Sequence, residues 1–252
     1  PVKDSDGRFV LEARWTDKEN ERRNLAVIRY GDTIKRYDLT LFNSIYLNRE
    51  KGTYSAIWQQ YAAVMCALLC NTDAETSQAF MDTCDFTAEE PIIGMRKIAA
   101  DGAYLRRAAS SNLHILSLVR KESISAIDAQ IWKAQLQVLF PLLEIERVSF
   151  IKRYRKQVQE ALGEKYHDFR TGRPQYIYQF GETVSDPDNA ELGTIYRMTK
   201  LRRDADAYQY LLYIPDEQSR SRIELLHDLR NSLAHGNTCA IDKVIEFING
   251  HP

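Results

Sequence analysis

Near its C-terminus the chain reads Leu225-Leu226-His227-Asp228-Leu229-Arg230-Asn231-Ser232-Leu233-Ala234-His235-Gly236, and Arg230, Asn231 and His235 stand out by type and spacing. Between them they offer a fixed positive charge, a carboxamide that donates and accepts, and an imidazole, the side chain whose charge changes near neutral pH. Just upstream, Ser221-Arg222-Ile223-Glu224 has the pattern of a capping box, which predicts a helix start there. Leu226, Leu229 and Leu233 then form its buried stripe. Asn231 and His235 share a face of that helix, and Arg230 stands about 100° from Asn231, so all three border one crevice at the helix end. A plainer reading uses the same residues: a His in the last turn suits the helix dipole, and Gly236 is a routine C-terminal cap.

Other chemistry-bearing residues form weaker constellations. Cys66 and Cys70 sit four apart on one helical face, but in the most apolar segment and with no third ligand in view, so they read as buried small hydrophobes. His227 and His235 are about 80° apart on a helix, and no Cys or carboxylate pattern completes a zinc site with them. His227 reads as an exposed His or as a group behind Arg230, and His114 as a core histidine. No Gly-x-Ser-x-Gly elbow, Walker A loop or Gly-x-Gly-x-x-Gly occurs. Some of the 14 tyrosines have the character to stack on bases, although most are expected in the core.

Arg-Asn-Ser-Leu-Ala-His is similar to the signature of the HEPN superfamily: Arg, a polar residue that is often Asn, and then His after a spacing of four to six, on a late helix of an all-helical domain. Phe140-Pro141-Leu142-Leu143-Glu144-Ile145-Glu146-Arg147, followed by Phe150-Ile151, resembles the long-helix segment of CRISPR-associated ancillary ribonucleases of the CARF–HEPN type. The likeness runs loosely from about Tyr54 to Phe247. It does not extend to residues 1–50, where no Gly-rich nucleotide-binding fold of the CARF sensor kind is visible. The resemblance implies a metal-independent endoribonuclease that cleaves single-stranded RNA by attack of the 2′-hydroxyl on its own phosphate, in prokaryotic antiviral or stress defence. His235 would be the general acid or base, Arg230 would hold the phosphate and stabilise the transition state, and Asn231 would position His235 or donate to a phosphate oxygen. It further implies a homodimer, no cofactor or metal, and a cyclic-oligonucleotide activator acting through a sensor domain not evident in this chain. Two other readings stand beside it: a catalytically silent HEPN-like module that binds a partner protein or nucleotide, and a toxin masked by a cognate antitoxin.

The elements that must position these residues follow from the pattern. Phe9–Trp15 and Asn24–Tyr30 are short runs of β-formers, and Gly31-Asp32 suits a hairpin turn before a third run, Thr33–Leu39. Residues 1–50 are therefore expected to form a small antiparallel β-hairpin or meander element, and residues 51–252 a helical HEPN-like domain. The fold class is mainly α. Helices are expected over Tyr54–Cys70, Ala74–Cys84, Pro91 to about Ser110, Leu113–Val119 and Ile124–Phe140, with Pro141 kinking the chain or starting a new helix. Pro141–Leu162 is the clearest amphipathic helix, with Leu143, Ile151, Tyr154, Val158 and Leu162 inward and Gly163 as its stop. Its outer face carries Lys152, Arg153, Arg155 and Lys156, which read as a solvated face or as a phosphate-binding strip. Residues 168–193 read as loop with a short strand at Tyr176–Phe180. Helices return over Glu191–Leu212, Ser221–His235 and Ala240–Ile248.

Composition bounds all of this. With 11 Gly and 7 Pro in 252 residues, collagen-like, linker-like and turn-rich all-β architectures are excluded. A hydrophobic fraction of 44% excludes disorder, and 34 Lys and Arg against 35 Asp and Glu exclude a general nucleic-acid coat, which needs a cationic excess. Any nucleic-acid chemistry must be local. The four cysteines show no paired framework and no secretory signal or Asn-x-Ser/Thr acceptor occurs, so a reduced, cytoplasmic setting is expected. The uncharged stretch Gly52–Thr72 has the length of a membrane span, but its fully apolar run covers only Tyr61–Cys70, as expected of a buried helix. The opening residue is Pro1 rather than Met, which suits a fragment or a processed product.

Overall fold

The uncharged stretch folds as the central helix of the domain. In the computed structural model, which describes residues 35–101 and 115–250 and two short strands, Ser55 caps that helix by accepting the Trp58 amide at 3.3 Å. The helix is buried without interruption from Tyr61 to Cys70, because its side chains are apolar on every face. Numbered along the chain, the helices are α1 Arg36–Glu50, α2 Ala56–Cys70, α3 Ala74–Thr83, α4 Pro91–Ala100, α5 Ile115–Arg120 and α6 Ile124–Arg153. They continue as α7 Arg155–Gly163, α8 Leu192–Lys200, α9 Glu217–Ala234 and α10 Ile241–Asn249. α1 and α6 pack on α2, and α9 packs on α6 and α8. No described helix is long and apolar enough to cross a membrane.

Small antiparallel pairs decorate this bundle. Val2–Lys3 (β1) pairs with Phe9–Val10 (β2), with Val2 opposite Val10. Tyr166–Asp168 (β3) pairs with Arg173–Gln175 (β4), and Tyr178–Gln179 (β5) with Glu182–Thr183 (β6). The mainly α class with minor β elements is as the sequence indicates. The remainder of Phe9–Trp15, the run Asn24–Tyr30, the Gly31-Asp32 turn, His114 and the helix end near Ser110 lie outside the described residues.

Several boundaries differ from expectation. The third β run becomes helix at Arg36, where the Asp38 carboxylate accepts the Lys35 amide at 2.7 Å and so caps α1. Leu39, Asn43 and Leu47, four apart, then face inward, and Asn43 bridges the Ala63 carbonyl at 3.1 Å and the Ser77 hydroxyl at 2.8 Å. Residues 36–50 thus belong to the helical core rather than to an N-terminal β element. α6 runs through Pro141 without ending. The missing amide of Pro141 costs a helix about 3 kcal/mol, which the burial of Val138, Leu139 and Leu143 around it offsets. The break falls instead at Tyr154, whose φ of −112° and ψ of 25° leave the helix, so Pro141–Leu162 is not one element. The helix expected over Glu191–Leu212 stops at Lys200, and the chain beyond it pairs back on itself through Arg202 and Tyr210.

Candidate functional site

α9 starts earlier than the Ser221-x-x-Glu224 pattern predicts. Its N-cap is Asp216, whose carboxylate accepts the Ser219 amide at 3.0 Å and the Ser219 hydroxyl, and these bonds hold that carboxyl below the usual carboxylate range. Tyr154, at the α6–α7 break, donates to the same Ser219 hydroxyl at 2.9 Å. Ser221 and Glu224 therefore lie within the helix. The inward stripe is as expected: Leu226, Leu229 and Leu233 are buried, joined by Ile223.

The other end of α9 is finished by hydrogen bonds around Gly236. The Gly236 amide bonds to the Leu233 carbonyl at 3.2 Å and the Asn237 amide to the Ser232 carbonyl at 2.9 Å, the paired arrangement of a Schellman motif. That motif needs a left-handed residue after the cap, and Gly236 supplies it with a φ of +77°. His235 is consequently the C-cap residue, its amide donating to the Asn231 carbonyl at 3.1 Å. Asn231 and His235 are both exposed, one turn apart on one face. Arg230 lies on the adjoining face, turned toward α8, and its guanidinium meets the Glu191 carboxylate at 3.3 Å with both side chains about a third exposed.

Two residues of α6 secure this tip. The Trp132 indole donates to the Leu233 carbonyl at 2.8 Å. Gln135, buried, donates to the Cys239 carbonyl at 3.0 Å and accepts the Cys239 amide at 2.7 Å, clamping the link between α9 and α10. Sequence reasoning missed Glu191, Trp132 and Gln135. Only Gln135 left a signal, a carboxamide within an otherwise apolar helical face.

His227 stacks on Tyr196 of α8, with ring centroids 4.1 Å apart and planes 14° apart. Asp228 beside it accepts from Lys243 at 2.6 Å, which holds the carboxyl low. Cys66 and Cys70 are buried in α2, where burial pushes both thiols well up and leaves them inert. No group of three or more His, Cys, Asp or Glu able to hold a metal occurs among the described residues. Lys152, Arg153, Arg155 and Lys156 are exposed but split by the break at Tyr154, and Arg155 is engaged by Asp188 at 2.7 Å.

The arrangement presents an imidazole and a carboxamide to solvent at a fixed helix end, with a guanidinium on the flank. Comparison of the chain with protein-family models, with curated proteins and with solved structures gives no match.

Proposed function

We propose that this chain is a metal-independent endoribonuclease of the HEPN kind, cleaving single-stranded RNA at the C-terminal end of α9. The observation that carries the reading is the exposure of His235 at a rigidly capped helix end, one turn beyond the exposed Asn231. In the proposed reaction the 2′-oxygen bonds to the adjacent phosphorus as the bond from phosphorus to the 5′-oxygen breaks. His235 takes the proton from the 2′-hydroxyl, and the partner's His235 in a homodimer returns one to the departing 5′-oxygen. Arg230 bears the charge that develops on the phosphate. Its present bond to Glu191 is long and partly solvated, an arrangement worth about 0–1 kcal/mol, so a phosphate can displace it. Asn231 donates to a phosphate oxygen or steadies His235. Antiviral or stress defence in a prokaryotic cytoplasm belongs with this reading.

The test is incubation of the protein with single-stranded RNA in excess EDTA, followed by analysis of the ends. Expected are 2′,3′-cyclic phosphate and 5′-hydroxyl termini, with His235→Ala slowing cleavage by about 10²-fold or more. Equal rates for wild type and His235→Ala overturn the assignment. The Arg230–Glu191 pair favours a second reading, a catalytically silent module whose guanidinium serves structure; ribonuclease activity that disappears in Arg230→Ala eliminates it.

A further inference from the structure

The α9 face that carries Asn231 and His235 continues along the whole helix. Arg220, Glu224, His227, Asn231 and His235 recur three or four apart, so they form one stripe, exposed except at the half-buried His227. α8 lies antiparallel beside it: Glu191 meets Arg230, Tyr196 stacks on His227, and Lys200 meets Glu224 at 3.3 Å. At the far end of the stripe, roughly 22 Å from His235 by the helical rise, the surface changes character. A cleft of about 500 Å³ is lined there by Tyr208, Tyr210, Tyr213, Arg203 and Glu160, and Arg203 is also paired with Glu164 at 2.8 Å. A second cleft of similar size shares Tyr210 and Tyr213 and reaches Arg220 and Glu224.

Tyr208 is 94% exposed and Tyr213 59%, and unlike the exposed Tyr37, Phe169 and Phe180 they line these clefts. They are carried on a fixed support. Arg203 donates its amide to the Gln209 carbonyl at 3.0 Å and Leu211 to the Leu201 carbonyl at 2.8 Å, closing the segment into a tight hairpin. The Arg202 guanidinium lies 3.5 Å from the Tyr210 ring centroid and donates to the Tyr208 carbonyl at 3.0 Å. Arg220 donates to the carbonyls of Ile214 at 2.6 Å and Pro215 at 3.0 Å, contacts that leave its charge unneutralised.

We propose that the hairpin over residues 202–213 is a base-stacking platform for single-stranded RNA, from which the strand follows the α8–α9 face to His235. Unpaired bases present a π-face whatever their identity, and exposed tyrosines beside arginines are what such a strand stacks on and pairs with. A duplex, whose bases are already stacked, gains nothing from these rings. At the stacked spacing of about 3.4 Å per nucleotide, the stripe accommodates roughly six nucleotides between platform and scissile phosphate. The direction of the strand rests on the ribonuclease reading; the platform rests on the hairpin.

The experiment is fluorescence anisotropy of the full chain with a labelled oligouridine of about twelve nucleotides and with a duplex of equal length. Single-strand binding is expected to exceed duplex binding. Tyr208→Ala and Tyr213→Ala should each weaken it about five- to tenfold, while Tyr208→Phe and Tyr213→Phe keep it. Alanine variants that bind as wild type, a preference for duplex, or no binding at low salt overturn the platform. Tyrosine-dependent binding without cleavage keeps the platform and removes the nuclease. His235-dependent cleavage with KM unchanged in both alanine variants removes the platform and keeps the nuclease.

Discussion

At the scale of residues, the strongest claim on Arg230 comes from within the chain. Glu191 holds its guanidinium at 3.3 Å, partly in solvent, so the pair adds little to stability but competes with any anion. Glu191→Gln is expected to leave the free energy of urea unfolding within about 0.5 kcal/mol of wild type. It should tighten binding of single-stranded RNA at least about twofold, since the flank of the site loses a negative charge. An unchanged affinity would mean that Arg230 meets no phosphate. The spacing of Asn231 and His235 was legible in the sequence because a helix converts spacing directly into direction. The partner of Arg230 was not, because Glu191 is distant in the chain and reaches it only through the packing of α8 on α9. Ser221 and Glu224 misled for a related reason: a cap pattern within a helix is only a Ser and a Glu on its surface, and the working cap is Asp216 with Ser219.

At the scale of elements, α9 is positioned by what α6 offers it. Gln135 satisfies both backbone groups of the buried Cys239, so Gln135→Leu, close in volume, leaves a donor and an acceptor unpaired. That should cost about 2–4 kcal/mol in urea unfolding, and stability equal to wild type would show the clamp to be dispensable. α2 was readable because an unbroken apolar run of helical length has few other fates. α1 was not, because Thr33, Ile34 and Tyr37 are good strand formers. Its helicity depends on the inward spacing of Leu39, Asn43 and Leu47 and on what those residues meet, which is tertiary information. Pro141 and Tyr154 exchanged their expected parts for the same reason. The propensity penalty at Pro141 is local, and the burial around it is not.

At the scale of the whole molecule, a balanced charge conceals an uneven arrangement. Several carboxyls are held below their usual range by hydrogen bonds in the folded state: Asp85 by Thr87, Glu89 by Lys97, Asp216 by Ser219 and Asp228 by Lys243. A carboxyl whose folded value is depressed stabilises fully above its unfolded value, near 4, and that contribution disappears as the pH falls through the folded value. The urea midpoint should therefore decline below about pH 4, and a midpoint still rising there would contradict these bonds. The mainly α class was legible in the scarcity of Gly and Pro, whereas the hairpin over residues 202–213 was hidden inside a segment that scans as helix. The attachment of the α9 tip to α6 has a thermodynamic consequence for whatever is bound there. Helix ends ordinarily fray, but Trp132, Gln135 and the turn at Gly236 remove that freedom when the chain folds. The backbone ordering entropy at His235 is then lost when the chain folds, so under the proposed function RNA would meet a main chain already in place.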